Sequence, residues 1–156
     1  MRLSFTKFVE QMVHVLVYFH SDVSFAFSRI YAKCTRVGRR CLWQGMEFLS
    51  NRLSLPWLVV GDFNVISSFD ERVGGSPANV TNIEEFNSAM LNCGLSSADF
   101  DGHLFTWTNG TVWQRLDRVL INAQWMDAYP VTRVSHLARG RSGHASLLIK
   151  CGLGCS

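Results

Sequence analysis

The run Trp57-Leu58-Val59-Val60, followed at once by Gly61-Asp62-Phe63-Asn64, constrains this chain more than any other feature. A continuous apolar run has no polar side to give to water, so it reads as a short strand buried on both faces. Strands of that kind belong to sheets covered by helices or by a second sheet. Open α/β folds place ligands beyond the C-terminal ends of such strands, and Asp62 and Asn64 stand at this one's end. Two apart in extended structure, they would share a face. A carboxylate beside a carboxamide can orient a water and hold a phosphate oxygen or a metal. The plain alternative is an Asx turn closing the strand.

Around this strand the pattern alternates between strand and helix periods. Val13 to Phe19 is rich in β-branched and aromatic residues and predicts a strand. Ser24 to Tyr31 predicts a second, with His20-Ser21-Asp22 turning between them. From Arg36, Val37, Cys41, Leu42, Met46, Phe48, Leu49 and Leu53 recur at roughly helical spacing, with Arg39, Arg40, Gln44, Glu47 and Asn51 between them; Pro56 ends the helix. Residues 67–82 have loop composition, with Gly74-Gly75-Ser76-Pro77 inside. Thr81 or Asn82 would cap a helix over Ile83 to Cys93, and Gly94 would stop it. Leu104 to Thr108 and Val112 to Ile121 are predicted strands around the hairpin signal Asn109-Gly110. A short helix over Asn122 to Asp127 and strands over Val131 to Leu137 and Ala145 to Lys150 follow. Arg139 to His144 is a basic, flexible link. Strands outnumber helices, which predicts a mixed α/β fold with much of its sheet in hairpins.

Length and composition suit one domain over residues 1–156: 47% of residues are hydrophobic and 17% charged, enough to bury a sizeable core. A net charge of +3 is too mild to imply nucleic-acid binding by itself. The five cysteines include no CxxC pair and are odd in number, which predicts buried free thiols in a reducing compartment. No apolar run is long enough to span a membrane, and Met12 to Phe19 lacks a small-residue cleavage site. The expectation is a soluble intracellular protein, nuclear or cytoplasmic, with no membrane partner and no small-molecule cofactor.

Other polar residues can carry chemistry, each beside a plainer reading. His144 can exchange protons near neutral pH or be an ordinary polar histidine. Asp117 can fix a histidine's tautomer or form a surface pair with Arg115 or Arg118. Tyr31 can bond a phosphate or simply end its strand. Trp107 can wedge against a base or pack in the core. Arg139 and Arg141 can contact a phosphate backbone or lie in a solvated loop.

The order of these segments carries a resemblance. Ile30-Tyr31-Ala32, Trp57 to Asn64, Phe105 to Asn109, Arg115-Leu116-Asp117-Arg118 and Ser142-Gly143-His144 occur in one sequence. From about Val13 to Lys150 the chain resembles the endonuclease/exonuclease/phosphatase family. It looks most like the endonuclease domains of plant LINE-type (non-LTR) retrotransposons. The resemblance implies a four-layered α/β sandwich, two packed mixed sheets flanked by helices, and cleavage of phosphate esters with Mg²⁺ or Mn²⁺ on DNA. It gives Asp62 the role of aligning water and Asn64 that of steadying the phosphate. It puts His144 on the scissile phosphate, Asp117 behind His144, Tyr31 near the phosphate, and Trp107 at the DNA-facing edge.

Two departures shape the functional expectation. Gly143 stands where the family has the aspartate of Ser-Asp-His. The family's first strands and metal-binding glutamate have no counterpart that the sequence reveals, and Glu10 is not placed to serve. A divalent site on Asp62 and Asn64 alone would be weak. The expectation is a partial sandwich: an N-terminally truncated, degenerate relative of a Mg²⁺-dependent DNA endonuclease, with an unpaired sheet edge and exposed apolar surface. The alternative is a non-catalytic nucleic-acid-binding module on the same fold.

Overall fold

The structure, a computed structural model, describes residues 1–20 and 22–153. In chain order it runs β1 (Arg2–Val9), β2 (Met12–Phe19), β3 (Asp22–Tyr31), α1 (Arg36–Ser50), β4 (Trp57–Asp62), a 3₁₀ turn (Phe69–Glu71), β5 (Arg72–Val73), α2 (Val80–Asn92), β6 (Ser96–Ser97), β7 (Phe100–Gly102), β8 (Trp107–Thr108), β9 (Trp113–Gln114), β10 (Asp117–Ile121), α3 (Ala123–Ala128), β11 (Val131–His136) and β12 (Leu147–Gly152).

Six strands form the main sheet in the order β1-β2-β3-β4-β10-β6, and β12-β11-β7 and β5-β9-β8 form two small sheets. The main sheet is mixed: β3 and β4 are parallel, joined through α1, and their neighbours are antiparallel. The period-2 alternation of its strands builds two cores. One face sends Met12, Ala26, Ile30, Trp57, Val59 and Leu120 against α1 and α2. The other sends Leu58, Val119 and Ile121 against Val134, Leu147 and Ile149 of the β12-β11-β7 sheet. Helices, main sheet and small sheet are therefore stacked as layers, as the α/β sandwich requires.

The α1 stripe differs from its expected membership. Arg39, Leu42, Trp43, Met46 and Leu49 are buried, whereas Val37 and Phe48 are exposed. Arg39 was expected among the polar positions. It points inward instead because its guanidinium donates to the carbonyls of Lys33, Cys34 and Asn64, so the buried charge is hydrogen-bonded. Helix α2 starts a turn earlier than predicted, since Asn79 accepts from the Thr81 N–H and serves as the cap. The expected loop 67–82 contains the 3₁₀ turn and β5. The Asn109-Gly110 hairpin forms, closed by the Asn109 side chain accepting from the Thr111 and Val112 N–H groups. Its return strand is two strands in different sheets. The break falls at Arg115-Leu116, whose N–H groups bond the Glu71 carbonyl and the Thr106 hydroxyl rather than a ladder partner.

At the N-terminus, β1 has no counterpart in the sequence reading, and it covers the β2 edge that the reading leaves unpaired. The expected apolar surface does exist. The small sheet covers only part of the main sheet, and a hollow of about 450 Å³ opens among Leu3, Val13, Val17, Phe25, Phe27 and Trp125. His20 takes a left-handed backbone, φ 61°, between β2 and β3; Ser21 of the predicted turn lies outside the described residues. Only Cys93 of the described cysteines is buried; Cys34, Cys41 and Cys151 are exposed free thiols, contrary to expectation, because they fall on outward positions. Cys155 lies outside the described residues. Among those residues no helix is long and apolar enough to cross a membrane.

Candidate active site

Strand register brings the first site residues together. Tyr31 on β3 pairs with Asp62 on β4, and Asp62 pairs with Asp117 on β10. One lateral row thus carries a phenol and two carboxylates across three adjacent strands. All three sit on the face that meets the small sheet. The C-terminal ends of the parallel strands β3 and β4 open there into a cleft of about 430 Å³. Its far wall is His144, Ala145, Ser146 and Leu147, where the chain enters β12.

His144 is placed by its backbone. It forms an isolated antiparallel bridge with Trp107, and the Ala145 N–H donates to the Thr106 carbonyl at 2.7 Å. Its Nδ1 lies 2.8 Å from Asp117 Oδ2. A carboxylate only accepts, so Nδ1 carries the proton and Nε2 faces the cleft. That Nε2 is 3.8 Å from Asp62 Oδ2.

Asp62 divides its two oxygens. Oδ1 accepts the Asn64 N–H at 2.8 Å, which is the Asx turn; Oδ2 faces His144. The turn and the site are therefore one arrangement. Burial raises the Asp62 carboxyl above the ordinary carboxylate range; the Asn64 N–H and the His144 charge oppose this, and the Asp117 charge adds to it.

Asn64 does not share the Asp62 face, because β4 ends at Asp62 and Asn64 has a left-handed backbone, φ 50°. Its carboxamide donates to the Ala32 carbonyl at 2.6 Å, so it holds the loop and does not line the cleft. Directly before Asp62, Gly61 is needed: with φ 152°, a Cβ there would lie 2.0 Å from the Ile30 carbonyl oxygen.

Tyr31 is 73% exposed at the cleft rim. The structure does not bring Trp107, Arg139 or Arg141 to the cleft lining. Trp107 packs against the Ile66, Ile83 and Leu116 cluster. Arg139 lies over the Trp113 ring, 4.3 Å from its centroid, and donates to the Phe105 carbonyl. Arg141 is exposed. Glu10 pairs with Lys33 at the surface.

Two contributors escaped the sequence reading. Arg29 lines the cleft, two residues before Tyr31 and so on its face; the same alternation that places Tyr31 identifies it. Glu71 is buried beneath β10. It accepts from Arg115 at 3.0 Å and from both terminal nitrogens of Arg118, and it takes the Ser67 N–H at 2.7 Å. These donors, Arg118 chief among them, hold its carboxyl below the ordinary range against the effect of burial. Arg118 points away from the cleft next to Asp117, so this network fixes the strand that presents Asp117.

A divalent cation is a poor match for the side chains of this site. Mg²⁺ and Mn²⁺ want near-octahedral oxygen donors. One oxygen of Asp62 is committed to Asn64 and one of Asp117 to His144, leaving one from each. Gly143 adds none, and among the described residues no three His, Cys, Asp or Glu side chains converge as a metal site.

No family model matches the chain, and no curated protein matches it by sequence. Solved structures do. The endonuclease domain of TRAS1, a telomere-specific non-LTR retrotransposon, superposes with a TM-score of 0.72 over 97% of this chain, at 13% identity. The chain has the endonuclease/exonuclease/phosphatase fold. Two further matches carry this fold: the 3′ phosphatase NExo from Neisseria, bound to a product DNA hairpin (TM-score 0.65, 16% identity, 93% of this chain), and an endonuclease/exonuclease/phosphatase family protein from Leptotrichia buccalis (0.55, 15%, 91%). The chain spans 69%, 65% and 54% of the length of these three structures, respectively. On this fold the Tyr31–Asp62–Asp117 row and His144 lie at the strand ends, the general location of ligand sites in α/β sheets.

Proposed function

We propose that this chain is a degenerate relative of the DNA endonucleases of non-LTR retrotransposons, retaining the proton-handling side of phosphodiester hydrolysis and holding its cation poorly. The observation that carries this reading is the contact of His144 with Asp117 at 2.8 Å, with Asp62 at 3.8 Å on the imidazole's other side.

Each residue has a role in that reading. Asp62, its carboxyl raised by burial, accepts a proton from and aligns the attacking water. As the imidazolium, His144 keeps its Nδ1–H on Asp117 and donates its Nε2–H to a phosphate oxygen. Tyr31 donates its phenol O–H to the same phosphate from the rim. Asn64 keeps the Asp62 loop closed. The resemblance implies Mg²⁺ or Mn²⁺, which when bound would offset phosphate charge; the one uncommitted carboxylate oxygen of Asp62 and the one of Asp117 would hold it only weakly.

Nicking of supercoiled plasmid in Mg²⁺ or Mn²⁺ tests the proposal. The expected rate is close to that of an Asp62→Ala control; robust nicking abolished by Asp62→Ala overturns the degenerate reading. The shortage of metal donors also favours a second reading, a non-catalytic nucleic-acid-binding module, for which salt-dependent DNA binding without cleavage is the signature.

A further inference from the structure

A phosphodiester entering the cleft meets the carboxylates of Asp62 and Asp117 and needs a positive charge to offset them. In a metal-loaded site the cation supplies it. Here the donor set is short, and among the cleft-lining residues Arg29 is the single Arg or Lys. Strand register places it: Arg29 pairs with Val60, one pleat back from the Tyr31–Asp62 pair and on the same face. Its side chain makes no ion pair with any described residue, whereas Glu85 takes Arg36 and Arg40, and Glu71 takes Arg115 and Arg118. Its charge is therefore unspent and directed to the cleft. A guanidinium stays charged at every working pH and offers a planar fork that matches two phosphate oxygens. The Tyr31 phenol, two residues on, can supply a third donor.

We propose that Arg29 anchors a nucleic-acid phosphate in this cleft, so that binding there does not require a divalent cation. This rests on the phosphodiester reading of the site, but it concerns binding and can fail separately from hydrolysis.

The test is fluorescence anisotropy with a fluorescein-labelled DNA duplex, in EDTA and in Mg²⁺ at matched ionic strength. Wild type is expected to bind as tightly in EDTA as in Mg²⁺. Arg29→Ala should weaken binding about tenfold and flatten the salt dependence by about one released counterion. Arg29→Lys, which keeps the charge and loses the fork, should fall between the two. Arg133→Ala, an exposed arginine on β11 outside the cleft, should bind like wild type. Binding that requires Mg²⁺, no detectable binding in EDTA, or equal affinity of wild type and Arg29→Ala would overturn the proposal. Plasmid nicking is read on the same samples. Robust nicking with Arg29-independent binding defeats this inference and the degenerate reading together, whereas Arg29-dependent binding with robust nicking defeats the latter alone.

Discussion

Asp117 and His144, 27 residues apart in sequence, meet through a 2.8 Å contact between carboxylate and Nδ1. The contact fixes which nitrogen of His144 faces the cleft. Asp117→Ala should therefore release the ring. Long-range proton–nitrogen NMR of the imidazoles should show His144 protonated at Nδ1 in the wild type and shifted toward the Nε2-protonated tautomer in the variant. An unchanged His144 pattern would mean that Asp117 does not orient it.

Asp117 is itself held from behind by the Glu71–Arg118 pair, whose arginine is fully buried. Removing one charge from a buried pair leaves the other uncompensated. Glu71→Gln should lower unfolding free energy by about 3–5 kcal/mol, read from urea denaturation. A loss below ~1 kcal/mol would show that Arg115 and Arg118 find other partners or water.

Two buried histidines make stability depend on pH. His14, beside Ser28 and Trp57, has its basicity lowered by burial. So does His136, mainly through burial and then against the help of the His103 carbonyl. Their folded values lie below the unfolded reference of 6.5. The unfolded chain therefore binds more protons in that window, and stability falls as pH drops below 6.5. Above it these two residues contribute no slope. Thermal denaturation at pH 5 and pH 7.5, with His14→Gln as the comparison, should show a smaller pH dependence in the variant. Equal dependence would remove His14 from the account.

Gly143 stands where the resemblance implies an aspartate, and it invites substitution. The structure predicts that Gly143→Asp alone will not restore nicking. A Cβ there would lie 2.9 Å from the Thr108 carbonyl oxygen, in the segment that bridges Trp107 to His144. The added carboxylate would still leave the cation short of donors. Clear Mg²⁺-dependent nicking by that single variant would refute the argument.

The sequence made the main strands legible because their periods are strong: the continuous apolar run of β4 and the β-branched run of β2 are found close to where they were expected. Strands β8 and β9 fall inside the expected hairpin, whereas β7 and the break at Arg115-Leu116 were not legible. At that break the N–H groups of Arg115 and Leu116 are satisfied by the Glu71 carbonyl and the Thr106 hydroxyl, which no local pattern announces. At the site, Asp62, Asp117, His144 and Tyr31 are brought to one cleft as expected from their motifs. Asn64 is not, because an Asx turn ends the strand two residues before it and its left-handed backbone redirects its carboxamide. Arg29 was legible in principle through alternation from Tyr31. Glu71 and Arg39 were not, since Glu71 is buried by Arg115 and Arg118, distant in sequence, and Arg39 by backbone carbonyls that carry no side-chain pattern.

On the proposed reading, this cleft keeps the groups that handle a phosphate and lacks a full set of cation donors. Titration of Mn²⁺ into the protein, followed by the free-ion electron paramagnetic resonance signal, tests it most directly. The predicted result is a signal that grows as in buffer, with no saturable site below roughly millimolar concentrations. A stoichiometric loss of signal at micromolar Mn²⁺, reversed by Asp62→Ala, would contradict it.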